Sequence, residues 1–202
     1  ASDVYKRQVY GYYPVQSQGD DLIVYHPEEF DCEACGCGVK HSQEIKPHKT
    51  PRELVRFTFP RQDGRRKLCL SDFYRSVESG QFDVIGIQLV TVGDRASELA
   101  EKLRQEGRYQ DYLYLHGFGV ECAEALAELW HKRMRQELGF GSEDDPSIKK
   151  IFQQKYRGSR YSFGYPACPN LEDRAMIVQL LRPEEIGVAL SENYMLVPEQ
   201  ST

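Results

Sequence analysis

Strand-like and helix-like segments occupy separate stretches of this chain, and their separation limits the folds that it can adopt. Residues 54–59 alternate between apolar and polar side chains, which is typical of a half-buried strand. Asp83–Thr91 is too apolar for an exposed edge and indicates a central strand. Helical periodicity follows in residues 96–105 and 120–138. Strands followed by segregated helices predict an α+β fold.

Residues 120–138 form the clearest predicted helix, with one apolar and one charged stripe. The apolar stripe predicts a core face made of Cys122, Leu126, Leu129, Trp130 and Met134. The charged stripe contains Glu124, Glu128, His131 and Arg135 at spacings of four, three and four. Such a stripe is typical of a solvated face with ordinary ion pairs, and we interpret His131 as structural. Shorter helices are predicted at residues 147–156 and 173–181, and a last strand within residues 186–196.

Bulk composition narrows the function classes. The 202 residues are enough for one domain with a sizeable core. The 26 basic and 31 acidic side chains are interspersed, giving a net charge of −5, so we predict no nucleic-acid partner. The sequence contains no apolar run long enough for a membrane span and no secretory signal. Six cysteines in a chain of this length do not indicate a disulfide scaffold, which favours a reducing, cytoplasmic location.

Residues 160–169, which we call the motif loop, combine a permanent cation, aromatic side chains, a glycine and two prolines. Gly164 can adopt backbone angles closed to other residues and lets a ligand approach the main chain. The prolines fix their own φ and restrict the preceding residues. Arg160 can fork onto a carboxylate, and Tyr165 can face a cationic ligand such as a sulfonium. A purely structural loop is the alternative interpretation.

As written, the motif loop resembles the Arg-x-x-x-Gly-Tyr-x-x-Cys-Pro motif of the S-adenosylmethionine-binding activation domain of cobalamin-dependent methionine synthase. Four further segments resemble that family in the same order: residues 9–25, 68–73, 123–133 and 190–194. The resemblance covers residues 9–202 apart from an inserted cysteine-rich loop at residues 31–49. It implies a twisted antiparallel sheet flanked by helices.

The resemblance also implies the binding residues. Arg160 would pair with the methionyl carboxylate of S-adenosylmethionine, and Glu124 with its ammonium group. The backbone around Ser162 and Gly164, together with Tyr165, would complete the donor site. We predict no catalytic residue in this chain, because no general base or covalent nucleophile stands out.

Two departures from the family pattern carry expectations of their own. The chain has Tyr161, Ser162 and Phe163 where the family motif has Pro-Ala-Pro, so we expect a less rigid loop. Residues 1–8 lack the family pattern and are predicted to be a non-native leader. We further expect residues 9–202 to be an activation domain truncated at both ends and inactive on its own, because family ligand contacts also come from outside these limits.

The function implied is part of a methyltransferase: support of the reductive methylation of cob(II)alamin in methionine biosynthesis. The cofactors implied are S-adenosylmethionine and a cobalamin held by a neighbouring domain of the same polypeptide. A flavodoxin-like protein would donate the electron. A free-standing reactivation partner of a separate synthase is one alternative.

The other alternative is a zinc or redox module within the inserted loop. Cys32, Cys35, Cys37 and His41 form a compact pattern whose ligand types suit zinc. The second ligand pair usual in such sites is missing, however, and the family requires no metal there. We therefore predict a polar inserted loop without a metal, and simple core or supporting roles for Cys69, Cys122 and Cys168.

Overall fold

The structure, a computed structural model, describes residues 7–31, 45–153 and 156–202. Its contacts divide the chain into two compact units. Unit 1 contains Ala1–Gly11, Ile87–Trp130 and Leu171–Thr202. Unit 2 contains Tyr12–Gly86 and His131–Asn170.

Four strands form the main sheet, in the order β5-β2-β1-β6. They are β1 (Arg7–Gln18), β2 (Asp21–Tyr25), β5 (Glu53–Thr58) and β6 (Asp83–Thr91), while β3 (Phe30–Asp31) and β4 (Lys46–Pro47) pair separately. β2 runs antiparallel to both β1 and β5. The strand–turn–strand predicted at residues 9–25 is confirmed, with Gly19 at φ +61° in the turn. β1 begins inside the segment predicted to be a leader, whose origin stays a prediction.

The alternation predicted for residues 54–59 is also confirmed. Val55, Phe57 and Phe59 are buried on one side of β5. Arg56, on the other side, donates hydrogen bonds to Glu53. A strand with one covered face and one polar face explains this pattern.

Four α-helices are present among the described residues: α1 (Asp94–Gln105), α2 (Tyr109–Glu137), α3 (Ile148–Phe152) and α4 (Arg174–Leu181). α2 is longer than the helix predicted at residues 120–138, because it continues through two glycines near its start. α3 is shorter than the helix predicted at residues 147–156. A strand does lie within residues 186–196, as predicted, but it is not the last one: β7 (Ala189–Leu190) pairs with β8 (Leu196–Val197).

β6 corrects the prediction of a central strand, because it lies last in the strand order. Its apolar end is covered by other means. Val90 exchanges backbone hydrogen bonds with Thr202 at 2.8 and 3.0 Å. The side-chain amide of Gln88 donates to the carbonyl of Ala127 on α2 at 3.0 Å. Cover by a helix and by a late segment of the chain explains the apolar sequence without a strand on each side.

The core stripe predicted for α2 needs one correction. Leu126 is buried with Val90 and Ala127, and Trp130 packs against them. Leu129, however, is 63% exposed. The buried Ala123, Ala127 and Met134 centre the packing face on the side of Leu126 that is turned away from Leu129.

α2 ends through backbone bonds that Gly139 makes possible at φ +86°. Its N–H donates to the carbonyl of Gln136, and the N–H of Phe140 donates to that of Arg135. This pair of bonds is a Schellman motif, and it ends the helix close to residue 138, where the sequence predicts its end. No helix among the described residues is long and apolar enough to cross a membrane.

Candidate functional site

The motif loop is built around a tight turn. The N–H of Cys168 donates to the carbonyl of Tyr165 at 2.9 Å, and Pro166 occupies the second position of that turn, which it favours. The N–H of Gly164 donates to the carbonyl of Cys168, also at 2.9 Å. Gly164 has φ +103°, a conformation that strongly favours glycine. The local sequence therefore determines the local shape here.

Three contacts within unit 2 hold this turn in place. The buried thiol of Cys168 donates to the carbonyl of Ser162 at 3.0 Å, which confirms its predicted supporting role. The Phe163 ring lies 5.7 Å from that of Phe57 on β5. The Gln62 side chain donates to the carbonyl of Pro166 at 2.8 Å. The loop is thus attached to the sheet and to the connection that follows β5.

Groups suited to ligand contact lie on this same loop. The ring of Tyr165 is 67% exposed, and Gly164 is exposed as well. Arg160 is half-buried, with Nη1 3.4 Å from the hydroxyl of Ser162. The loop therefore carries a cation, a hydroxyl, a backbone position without a side chain and an aromatic face. They belong to four of the five predicted binding residues: Arg160, Ser162, Gly164 and Tyr165.

The fifth predicted residue, Glu124, lies on α2 in unit 1, whereas the motif loop belongs to unit 2. It is half-buried and follows the buried Ala123. The structure therefore groups Arg160, Ser162, Gly164 and Tyr165 on one loop and leaves the role of Glu124 a prediction.

The charged stripe of α2 corrects the prediction of a solvated face. Arg135 is only 2% exposed, and it forms a bidentate ion pair with Asp144 at 3.2 and 2.6 Å. Its guanidinium lies 4.0 Å from the ring centre of Tyr156. His131 joins this group through Arg135 Nη1 at 2.8 Å, which supports a structural role. The missed signal was Asp144, an acidic residue that lies seven positions after the end of α2.

The candidate zinc residues Cys32, Cys35, Cys37 and His41 lie outside the described residues. Elsewhere, in residues 7–31, 45–153 and 156–202, no cluster of three His, Cys, Asp or Glu side chains is arranged to hold a metal. Cys69 is buried, with its thiol 3.4 Å from the carbonyl of Phe59. It is a small core residue, as predicted, while Cys122 is half-buried.

The chain matches the family model of the activation domain of vitamin B12-dependent methionine synthase over residues 2–202. Methionine synthase of Mycobacterium tuberculosis (strain ATCC 25618 / H37Rv) is 45% identical over 204 residues, which cover 96% of this chain and 16% of the relative. That of Mycobacterium leprae (strain TN) is 42% identical over 208 residues, 98% of this chain and 16% of the relative. The chain thus spans about a sixth of these relatives.

A crystal structure of the MetH reactivation domain bound to AdoHcy superposes with a TM-score of 0.79 at 26% identity. The match covers 97% of this chain and 56% of that one. The α+β fold, with its antiparallel sheet and helices, and the resemblance drawn from the sequence are both confirmed. This chain belongs to the family of activation domains of vitamin B12-dependent methionine synthase.

Proposed function

We propose that this activation domain binds S-adenosylmethionine, with Arg160, Ser162, Gly164 and Tyr165 of the motif loop and Glu124 of α2 lining the donor site. The observation that carries the proposal is the loop itself, which holds a half-buried Arg160, an exposed Tyr165 ring and an exposed Gly164 within six residues. The crystal structure with AdoHcy, the demethylated form of the same ligand, supports this choice.

Each residue has a definite part in the proposed site. Arg160 is a permanent cation whose planar fork matches a carboxylate with two parallel hydrogen bonds. Because the carbonyl of Ser162 already accepts from the Cys168 thiol, its second lone pair is the one offered to the ligand. The N–H of Gly164 is used in the turn, so this residue contributes close approach of the backbone.

Tyr165 and Glu124 complete the proposed chemistry. The aromatic face of Tyr165 attracts a sulfonium, which is the reacting charge of S-adenosylmethionine. The carboxylate of Glu124 would balance the ammonium group of the ligand. The protein's part is to bind and orient the donor, because the methyl transfer itself is chemistry of the bound groups.

At the level of the whole protein, we infer that this chain is part of a cobalamin-dependent methyltransferase active in methionine biosynthesis. Its relatives are named methionine synthase and are far longer, which supports a neighbouring cobalamin-binding domain in the same polypeptide. S-adenosylmethionine held by the motif loop and Glu124 would supply the methyl group for the reductive methylation of a cobalamin carried by that neighbouring domain. A flavodoxin-like protein is the proposed electron donor, and the cytoplasm the proposed location.

Isothermal titration of the full-length protein that carries this chain tests the binding site. Arg160→Ala should weaken S-adenosylmethionine binding about ten- to a hundredfold, since a hydrogen bond to a charged group contributes about 1.5–3 kcal/mol. Arg160→Lys should recover only part of the affinity, because the fork is lost. Arg157→Ala is the matched control. This exposed arginine lies three residues before Arg160 and pairs with Glu143.

Two results would contradict the proposed site. The first is an unsubstituted protein that does not bind millimolar S-adenosylmethionine. The second is an Arg160→Lys variant that binds as tightly as the parent, which would remove the bidentate role.

The free-standing reactivation partner is not favoured, because the relatives carry this segment within a much longer chain. An Asp-x-His-x-x-Gly cobalamin signature upstream in the same reading frame would decide against it.

The zinc alternative has its own test. If the loop holds no structural metal, replacing Cys32, Cys35 and Cys37 by serine should change the melting temperature by only a few degrees, since surface insertions cost little.

One zinc per chain by elemental analysis, with a large drop in melting temperature on chelation, would favour the metal module instead. A structural zinc site contributes about 10 kcal/mol or more to its local fold, so its loss would be evident.

A further inference from the structure

Unit 2 contains a buried ion pair between α2 and the segment that precedes the motif loop. The side chains of Arg135 and Asp144 are 2% and 7% exposed, and the carboxylate accepts from Nε and Nη2 of the guanidinium. The guanidinium also lies against the Tyr156 ring at 4.0 Å. A desolvated cation needs partners for its remaining N–H groups. His131 supplies one of them.

The contacts of His131 determine which ring nitrogen carries the proton. Nδ1 lies 2.8 Å from Nη1 of Arg135, and a guanidinium can only donate, so Nδ1 must accept. The neutral ring therefore carries its hydrogen on Nε2. That N–H donates to the carbonyl of Gly158, 2.6 Å away. The imidazole thus links the buried cation to the backbone just before the motif loop.

The backbone conformation and the surroundings of Gly158 are restricted as well. Its φ is +78°, and a Cβ at this position would lie 3.2 Å from the ring of Phe140. The ring of Phe140 also faces the guanidinium of Arg157 at 4.9 Å. Only two peptide bonds separate Gly158 from Arg160. The orientation of the Gly158 peptide therefore sets the direction in which the motif loop begins.

We propose that His131 is a positioning residue: through its Nε2–H bond to Gly158 it holds the start of the motif loop so that Arg160 meets the ligand carboxylate. This inference rests on the proposed function. Protonation of His131 would put an N–H on Nδ1, opposite a donor of Arg135. The loss of that contact would turn the ring away from Arg135 and displace its Nε2–H from the carbonyl of Gly158. The affinity for S-adenosylmethionine therefore falls in mild acid.

The described groups that face the imidazole come from α2 and from the chain that follows it. Nη1 of Arg135 lies 2.8 Å from Nδ1 of the imidazole, and both carboxylate oxygens of Asp144 are paired to the same guanidinium. Tyr156 meets the imidazole edge-on, with ring centres 5.2 Å apart. Glu128 lies one turn earlier on α2, in the same charged stripe.

The test compares two variants in the full-length protein by isothermal titration with S-adenosylmethionine. His131→Gln keeps an acceptor and a donor on one planar group but does not titrate, whereas His131→Phe keeps the ring shape and loses both bonds. Between about pH 7.5 and about pH 5.5, the range in which an imidazole gains its proton, the unsubstituted protein should lose about five- to tenfold in affinity. His131→Gln should bind tightly at both values, and His131→Phe weakly at both.

His116→Gln is the matched control, because it removes another imidazole of α2 and should keep the unsubstituted pH profile. A merely structural His131 would lower the melting temperature without changing this profile. A His131→Phe variant that binds like the parent at both pH values, or a His131→Gln variant that keeps the parent's pH dependence, would overturn the proposal.

A second measurement does not depend on the ligand. Amide hydrogen exchange of residues 156–164, corrected for the intrinsic effect of pH, should show protection that falls in acid in the unsubstituted protein and persists in His131→Gln. Equal protection in both proteins would overturn the link to Gly158. If the unsubstituted protein fails to bind S-adenosylmethionine, the proposed function is wrong, and the exchange measurement still decides whether His131 holds the loop.

Discussion

Replacing Asp144 by alanine would leave the guanidinium of Arg135 buried without its carboxylate, and the cost can be estimated from the structure. The two side chains are 2% and 7% exposed and are joined at 2.6 Å. Removal of one partner from a pair this desolvated costs about 3–5 kcal/mol, because the remaining charge cannot recover its hydration. For a chain of this size that amounts to a fall of about 6–20 °C in melting temperature.

The preceding residue provides the matched control. Glu143 pairs with Arg157 at 3.3 Å, but both side chains are more than half exposed. An exposed pair contributes about 0–1 kcal/mol, so Glu143→Ala should hardly change stability. Urea unfolding at neutral pH, followed by circular dichroism, gives the free energy of unfolding for both variants. If Asp144→Ala lowers the free energy of unfolding no more than Glu143→Ala does, the buried pair stabilises the fold no more than an exposed one.

Two further predictions concern the core and the acid stability of the domain. Leu126→Ala should lower the free energy of unfolding by about 2–5 kcal/mol, whereas Leu129→Ala should stay within about 0.5 kcal/mol of the parent, because only Leu126 is buried; equal losses in urea unfolding would contradict the assigned helix face. The backbone N–H and guanidinium of Arg52 hold the pKa of the buried Glu29 carboxyl below its usual range. The carboxylate of Glu29 therefore stabilises the fold at any pH above its pKa in the unfolded chain, about 4.3. That stabilisation is lost as the pH falls through its lower pKa in the folded protein. Glu29→Gln should thus have a lower urea midpoint than the parent at neutral pH and a similar one near pH 2, and a difference that does not shrink in acid would refute this assignment.

Local patterns predicted those parts of the fold that depend on neighbouring residues. The alternation in β5 and the turn between β1 and β2 are set by side-chain period and by Gly19. The shape of the motif loop likewise follows from a glycine and two prolines close together. Four of the five proposed binding residues lie within this one loop, so sequence alone could group them.

Features that depend on distant residues could not be predicted in this way. Gly117 and Gly119 look like helix breakers, yet α2 runs through both. At Gly119 the reason lies in unit 1, where a Cβ would approach within 2.8 Å of the Gln200 side chain. A glycine destabilises a helix by about 1 kcal/mol relative to alanine, but here close packing leaves no space for a side chain.

Arg135 shows the same dependence for charge. Helical spacing placed it with Glu124 and Glu128 on a polar face, and most arginines at such positions are solvated. Burial becomes possible only because the chain returns after α2 to bring Asp144 and Tyr156 against the guanidinium. No periodicity within the helix contains that information.

The loss of the family's Pro-Ala-Pro segment shows how packing can replace a local restriction. Proline stiffens a loop mainly by reducing the conformational freedom of the unfolded chain. At residues 161–163 this chain gives up that effect, but the Phe163 ring packs against Phe57 and the Cys168 thiol bonds to the Ser162 carbonyl. These contacts act only in the folded state, so the loop's order depends on the integrity of the sheet beneath it. Substitutions in β5 that weaken the Phe57–Phe163 contact should therefore lower the order of the motif loop, although they replace none of the proposed binding residues.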